Sequence, residues 1–130
     1  MIIEKLKKIK RILLPHWTDH WSEIINIDKS KIGLHIGPGL LKIENTISID
    51  MNSSVNPDIV WNLNDNPWPI ENNSKDTIIA MNVLEHLNDI SKIMDELHRI
   101  SKPNALINIL VPHFSSAAAF VDPTHKSYFS

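Results

Sequence analysis

The 130-residue sequence contains no cysteine, which excludes disulfide bridges, thiolate metal sites and cysteine nucleophiles. It also lacks any uninterrupted apolar run near the roughly 20 residues that a membrane-spanning helix needs. The formal net charge of -2 supplies no overall basic field of the kind that phosphate-dominated nucleic-acid binding requires. We therefore expect a soluble, cytoplasmic protein with no transmembrane segment and no nucleic-acid partner.

Length and composition fit one globular domain with a short extension in front of it. The hydrophobic fraction is 42% and the charged fraction is 22%, as in ordinary soluble domains. Apolar residues recur at helical spacing near the amino terminus, at Ile2, Leu6, Ile9 and Leu13. The pattern predicts an amphipathic helix within a helical extension over residues 1–30, followed by the domain over residues 31–130. Packing, membrane-surface binding and partner binding all remain open for this helix.

Apolar runs and turn signals predict about five strands, at residues 31–36, 46–49, 58–61, 77–81 and 105–111. Between the last two strands, a stripe of apolar residues from Leu87 to Ile100 indicates a helix that ends before Pro103. A strand, a helix and a second strand in this order form a parallel crossover. The expected fold class is α/β, with an incomplete Rossmann-like parallel sheet flanked by helices.

Glycine is scarce, and two of the three glycines lie in Gly37-Pro38-Gly39, directly after the first strand. A turn without β-carbons lets a ligand approach the backbone closely. Asp50 closes the second strand, where a carboxylate can accept hydrogen bonds from both ribose hydroxyls. The combination indicates a nucleoside cleft, although in isolation the glycines also fit a plain tight turn.

Four short motifs extend this pattern in order: Leu34-His35-Ile36-Gly37-Pro38-Gly39, Ser48-Ile49-Asp50, Asn62-Leu63-Asn64 and Met81-Asn82-Val83-Leu84-Glu85-His86-Leu87. Their residues, order and spacing resemble those of class I S-adenosylmethionine-dependent methyltransferases, in particular the type 11-like group. The resemblance implies S-adenosylmethionine as cofactor. It places the cofactor site at Gly37, Pro38, Gly39, Asp50, Met51, Asn62, Leu63, Asn82 and Val83.

Two lengths separate this chain from the usual pattern of that family. Only residues 40–45 lie between the glycine turn and the second strand, too few for the usual crossover helix. A nicotinamide-binding domain fits less well, because its acid should follow the glycines by roughly 20 residues. Similar methyltransferases also continue into a sixth and a seventh strand. A sheet of five strands leaves an exposed edge, which favours self-association.

Histidines at strand ends are the candidate catalytic residues, because a general base assists methyl transfer to a hydroxyl. His86 follows the fourth strand, His113 follows the fifth, and His125 lies in the final loop. Asp122 and His125 are the candidate substrate-binding residues. Each of these residues also has an ordinary structural interpretation, as a helix-entry residue or as part of an Asp-Pro turn.

The function predicted from these features is S-adenosylmethionine-dependent methyl transfer to a small-molecule or glycan-like acceptor. The alternative is a catalytically inactive cofactor-binding or protein-interaction module derived from a methyltransferase. Four departures from the family pattern favour that alternative: His35 in place of the usual acid, Leu41 in place of the third glycine, Asn62 in place of the frequent Asp, and the missing carboxyl-terminal strands. A metal-dependent hydrolase that uses His113, Asp122 and His125 ranks third, and we predict no metal site.

Overall fold

The structure, a computed structural model, describes residues 32–130, so the amphipathic helix expected in residues 1–30 lies outside the described residues. Five strands form one sheet in the order β3-β2-β1-β4-β5, and every neighbouring pair is parallel. The elements are β1 Gly33–Ile36, β2 Thr46–Asp50, β3 Ile59–Val60, β4 Lys75–Met81, α1 Ile90–Ile100 and β5 Ser101–Leu110. The Rossmann-like α/β fold class is thereby confirmed.

The crossover from β4 through α1 to β5 has the predicted order, but its helix starts later than the apolar stripe suggested. Residues Leu84–His86 form a 3-10 turn, and α1 begins only at Ile90. The start is fixed by Asp89, whose side chain accepts a hydrogen bond from the Lys92 N–H. The apolar spacing placed the predicted helix start at Leu87, because the residues of a 3-10 turn are buried at an interval similar to that of an α-helix.

The main core lies between α1 and one face of the sheet. Leu34 and Ile36 of β1, together with Ile78 and Ala80 of β4, pack in one cluster with the buried stripe of α1. Successive side chains of a strand alternate between the two faces of a sheet. Ile79, which points away from α1, is nevertheless fully buried. The prediction that the fourth strand is buried on both faces is therefore confirmed.

The opposite face of the sheet carries more polar side chains. His35 of β1, Ser48 of β2 and Thr77 of β4 lie on it beside Ile79, and all four are buried. Ser48 has a partner on the next element, because its hydroxyl and its N–H both donate to Asp58 Oδ2 at 2.7 Å. These bonds lower the pKa of Asp58 and tie β2 to the start of β3.

The first crossover contains no helix. Residues 37–45 join β1 to β2 through turns alone, as the spacing predicted. A return over the four residues of β1 covers about 13 Å, a distance that an extended segment of this length can span. The carboxyl ends of β1 and β2 consequently lie next to each other without an intervening helix amino terminus.

The last strand is longer than predicted, and two of its apolar residues are exposed. It begins at Ser101 instead of residue 105, with a register shift between Lys75 and Thr77 and a left-handed residue at Asn104. Its nearly continuous apolar run is typical of burial on both faces. Within residues 32–130, however, β5 has β4 as its one neighbour, and Leu106 and Ile109 are exposed.

Candidate active site

The glycine turn after β1 has two conformational requirements that other residues meet poorly. Gly37 and Gly39 both have left-handed backbones, with φ of 58° and 52°. A β-carbon on Gly37 would lie 2.2 Å from Cγ2 of Val83, so the turn and the segment after β4 pack directly together. A β-carbon on Gly39 would meet no heavy atom within 4 Å. The space beside Gly39 is therefore open.

Asp50, at the end of β2, borders the same space. Its Oδ2 accepts a hydrogen bond from the Gly39 N–H at 3.1 Å, and its Oδ1 accepts one from the Asn52 N–H at 2.9 Å. A carboxylate offers about four lone-pair positions, so two remain for other donors. The carboxylate thus fixes the glycine turn and can still accept hydrogen bonds from a diol.

The remaining predicted cofactor residues occupy the same edge of the sheet with different exposures. Met51 is exposed after β2, and Asn82 is exposed after β4 with a left-handed backbone. Asn62 is half-buried, and its Oδ1 accepts hydrogen bonds from the backbone and side-chain amides of Asn64. Leu63 and Val83 are buried in the core cluster, so they can offer only one side to a ligand.

The final segment of the chain folds over the 3-10 turn that follows β4. The carbonyl of Glu85 accepts hydrogen bonds from the N–H groups of Lys126, at 2.6 Å, and Ser127, at 3.2 Å. The Lys126 ammonium donates to Asn88 Oδ1 at 2.6 Å. Asn64 Oδ1 in turn accepts the Asn88 N–H, which connects the final segment to the Asn62 region. The loop predicted to carry substrate residues therefore lies beside the predicted cofactor residues.

Hydrogen bonds fix the orientation of His86. The Thr124 hydroxyl donates to Asp122 Oδ1 at 2.6 Å, since an ionised carboxylate can only accept. With its single proton used, Thr124 Oγ1 must accept from His86 Nδ1, which lies 2.9 Å away. The bonds from Thr124 lower the pKa of Asp122, which keeps it ionised. A neutral His86 therefore has its lone pair on Nε2.

His125 is fixed in the same way by a backbone carbonyl. Its Nδ1 lies 2.8 Å from the carbonyl oxygen of Ala119, which can only accept, so Nδ1 carries the proton. Nε2 then points toward two carboxylates, at 4.0 Å from Glu85 Oε1 and 4.0 Å from Asp122 Oδ2. The rings of His86 and His125 meet edge to face, with centroids 4.7 Å apart.

Glu85 completes this group, and the sequence did not single it out as a site residue. Its side chain is only 1% exposed, and neither carboxylate oxygen has a hydrogen-bond partner among residues 32–130. One potential ligand atom each from Glu85, His86 and His125 lies within 4.8 Å of the others. A charged residue inside the apolar run from Val83 to Leu87 was the available signal, because such a residue is seldom fully buried unless paired.

We compared the chain with known proteins. A family model described as "Methyltransferase domain" matches residues 10–126, which is most of the chain. The chain belongs to the methyltransferase domain family. A solved structure with a similar fold is a SAM dependent methyltransferase from Archaeoglobus fulgidus, with a TM-score of 0.70 and 20% sequence identity. The match covers 84% of this chain and 59% of that one. No curated protein matches the sequence.

In this methyltransferase domain, His113 lies apart from the histidine pair. Its Nδ1 is 2.7 Å from the Ser115 hydroxyl, and its ring contacts Phe114. The grouping of His113 with Asp122 and His125 that a hydrolase would need is not among the possible ligand sets of residues 32–130, whereas Glu85, His86 and His125 are. Within the same residues, no helix is long and apolar enough to cross a membrane.

His35 replaces the acid usually found before the glycine turn in similar methyltransferases, and it is buried in the sheet. Its exposed fraction is 1%, and neither ring nitrogen has a hydrogen-bond partner among the described residues. Burial lowers the pKa of His35 from 6.5 to about 4, although the nearby Asp50 charge opposes the shift. At neutral pH the methyltransferase domain therefore carries an uncharged imidazole beneath the cofactor edge.

Proposed function

We propose that the protein transfers a methyl group from S-adenosylmethionine to a hydroxyl of a small-molecule or glycan-like acceptor. The observation that carries the proposal is the open space beside Gly39 and Asp50, on the same sheet edge as the His86 and His125 pair. Membership of the methyltransferase family and the fold shared with the SAM dependent enzyme from Archaeoglobus fulgidus support the choice of cofactor. Ligands of open α/β sheets bind outside the carboxyl ends of the strands, where all these residues lie.

In the proposed complex most of the predicted cofactor residues have a defined task. Asp50 accepts hydrogen bonds from the ribose hydroxyls with its two free lone-pair positions. The glycine turn leaves room for the methionine part, and Asn62 and Leu63 border the adenine. Asn82 and Val83 line the cleft opposite the turn, since Val83 already packs on Gly37.

The reaction then needs an acceptor oxygen held in line with the methyl–sulfur bond. The oxygen forms a bond to the methyl carbon as the bond from that carbon to the sulfonium sulfur breaks, which releases S-adenosylhomocysteine. The hydroxyl proton leaves toward the cluster of Glu85, His86 and His125, which offers His125 Nε2 and the Glu85 carboxylate as acceptors. Orientation of the two reactants supplies much of the acceleration in such a reaction.

Isothermal titration with S-adenosylhomocysteine tests cofactor binding directly. Gly39→Ala places a methyl group in the open space, and we expect its affinity to fall by about tenfold or more, which is about 1.4 kcal/mol of binding free energy. Gly33→Ala is the matched control, because its new β-carbon meets the Thr46 side chain at the other end of β1. No measurable binding by the folded wild-type chain would contradict the proposal.

A methyl-transfer assay tests the enzyme claim separately. We expect His86→Asn to lose about 100-fold or more in turnover while S-adenosylhomocysteine affinity stays unchanged, as for loss of a proton-transfer group. Tight cofactor binding with transfer at background for every hydroxyl acceptor would instead support the inactive module. The assay uses the 130-residue chain, whose match covers 59% of the Archaeoglobus fulgidus structure.

The proposed setting is the cytoplasm, with a diffusible acceptor and with no nucleic-acid partner. The formal net charge of -2 and the absence of cysteine support this setting. We further propose that the chain self-associates through the exposed edge of β5.

A further inference from the structure

We propose that Glu85, His86 and His125 form a binding site for a divalent cation of the zinc class, with Asp122 within reach. No metal site was predicted from the sequence, in which His125 is distant from the adjacent residues Glu85 and His86. The final segment brings His125 onto the 3-10 turn that carries Glu85 and His86. Cation binding itself does not depend on the proposed methyl transfer.

The first argument is that the Glu85 carboxylate is buried without a hydrogen-bond partner among residues 32–130. Its carboxylate oxygens have no hydrogen-bond partner among residues 32–130, although the residue is only 1% exposed to solvent. An ionised carboxylate in that position is strongly disfavoured unless a donor or a cation compensates it. Its nearest charged candidate, His125, offers Nε2 at 4.0 Å, beyond hydrogen-bond distance.

The second argument is the direction of the two imidazole lone pairs. Nδ1 of His86 donates to Thr124, and Nδ1 of His125 donates to the Ala119 carbonyl. Metal-bound histidines almost always donate their other N–H to such an acceptor, which fixes the ring and strengthens the ligand. In this arrangement His125 turns its unprotonated Nε2 toward Glu85 Oε1, and one ring nitrogen of His86 lies within 4.8 Å of the ligand atoms of both residues. Acceptors that face each other repel unless a cation lies between them.

Ligand type and spacing indicate which cation fits. Two imidazoles and one carboxylate suit borderline ions such as Zn²⁺ and Co²⁺ better than Mg²⁺ or Ca²⁺. Ligand atoms bound tetrahedrally at about 2.0–2.1 Å lie about 3.3 Å apart. The ligand atoms lie 4.0 Å apart in the pair His125 Nε2 and Glu85 Oε1 and within 4.8 Å for the whole set, so metal binding needs the side chains to approach by about 1 Å. Three protein ligands leave a fourth position for Asp122, water or an oxygen ligand.

The consequence for chemistry rests on the proposed function. A divalent cation bound there would replace proton acceptance by its ligands: it lowers the pKa of a bound hydroxyl, whose proton then passes to solvent before the oxygen attacks the methyl group. The cluster follows directly after Asn82 and Val83, which are predicted to line the cofactor cleft. An oxygen bound at the open position would thus be held at the edge of that cleft.

Zn²⁺ titration of the 130-residue chain, freed of any affinity tag and treated with chelator, tests the site without cofactor or acceptor. We expect one equivalent to bind, and Co²⁺ to give the visible absorption of a tetrahedral complex. Glu85→Gln and His125→Asn should each weaken Zn²⁺ binding by about 100-fold or more, since loss of a supporting residue alone costs about 10–100-fold. Glu85→Gln keeps the backbone carbonyl that Lys126 and Ser127 bind.

Two control variants make the result specific. His98→Asn removes an exposed histidine of α1, and His113→Asn removes the one that lies apart from the cluster; both should bind Zn²⁺ as the wild type does. Equal affinity for wild type and Glu85→Gln overturns the proposal, as does the absence of a Co²⁺ spectrum. If circular dichroism shows that Glu85→Gln does not fold, the Zn²⁺ affinity of His125→Asn and the Co²⁺ spectrum of the wild type test the proposal instead. Zn²⁺ binding without methyl transfer would leave the site standing and refute only the proposed function.

Discussion

His35 is a buried imidazole at the centre of the sheet, between Ser48 of β2 and Ile79 of β4. Burial holds its pKa at about 4, against 6.5 for an exposed histidine. The unfolded chain therefore binds a proton more readily than the folded chain does between these two pH values. Linkage then requires that stability rises with pH across this window.

We expect the free energy of unfolding to fall as the pH is lowered from 6.5 to about 4. The contribution of neutral His35 to the free energy of unfolding is complete above pH 6.5 and is lost progressively as the pH falls to about 4. At 1.36 kcal/mol per pH unit, the total loss is about 3 kcal/mol. His35→Leu should remove this part of the pH dependence, since leucine does not titrate. Urea denaturation at several pH values, followed by circular dichroism, measures both chains.

The comparison isolates His35 because the two chains differ at that residue alone. His35→Leu also removes two buried ring nitrogens that have no partner among the described residues, so it should not destabilise the protein at neutral pH. Parallel curves of unfolding free energy against pH for wild type and variant would contradict the assignment.

Single residues also show where prediction from the sequence ended. Gly37, Gly39 and Asp50 could be placed because their roles follow from backbone geometry at the end of a strand. The grouping of Glu85 and His86 with His125 could not, because it depends on how the final segment folds back. No spacing rule relates residues that are distant in the sequence and meet through an irregular loop.

Among the elements, α1 is joined to the segment between β3 and β4 by one charged pair. Arg99 donates to both oxygens of Glu96 and to the carbonyls of Trp68 and Ile70. Glu96 also accepts the Trp68 N–H at 2.8 Å, and the hydrogen bond from Arg99 lowers its pKa. The pair thereby holds a turn-rich segment against the core.

Glu96→Ala should lower the free energy of unfolding by about 2 kcal/mol, because it removes the carboxylate that pairs with Arg99 and leaves the Trp68 N–H without its acceptor. Asp95→Ala is the matched control, since Asp95 is the exposed neighbour on the same helix and should change stability by less than about 0.5 kcal/mol. Urea denaturation of the three chains at neutral pH measures the difference. Equal effects of the two substitutions would show that the network does not stabilise the fold.

At this scale the sequence specified element type and order well and element boundaries less well. Buried apolar residues identified β1, β2 and β4. These strands lie inside the sheet, with a neighbouring strand along each edge and buried side chains on their faces. The early part of β5 was missed, since Pro103 and Asn104 are not strand formers and enter through a register shift. The helix start was misplaced because the Asp89 cap competes with apolar residues that continue the helical interval.

In the molecule as a whole, the two edge strands of the sheet differ in length. β3 is a two-residue edge strand, and such short strands offer little backbone for further pairing. β5 spans ten residues at the other edge, and its outer side has no strand partner within residues 32–130. Leu106 and Ile109 are 46% and 41% exposed on this strand. A long apolar edge of this kind favours pairing with another chain.

Self-association of the 130-residue chain through β5 is the prediction that follows. Sedimentation velocity over rising protein concentration should show a shift to larger species, and Ile109→Lys should return the chain to the monomer. A lysine on an edge strand opposes pairing because two like charges would be brought together at the new interface. Met94→Lys is the control: it adds the same charge at an exposed apolar residue of α1, away from the edge, and should associate as the wild type does. If both lysine variants dissociate equally, net charge and not the β5 edge governs association; a wild type that stays monomeric at every concentration refutes the interface.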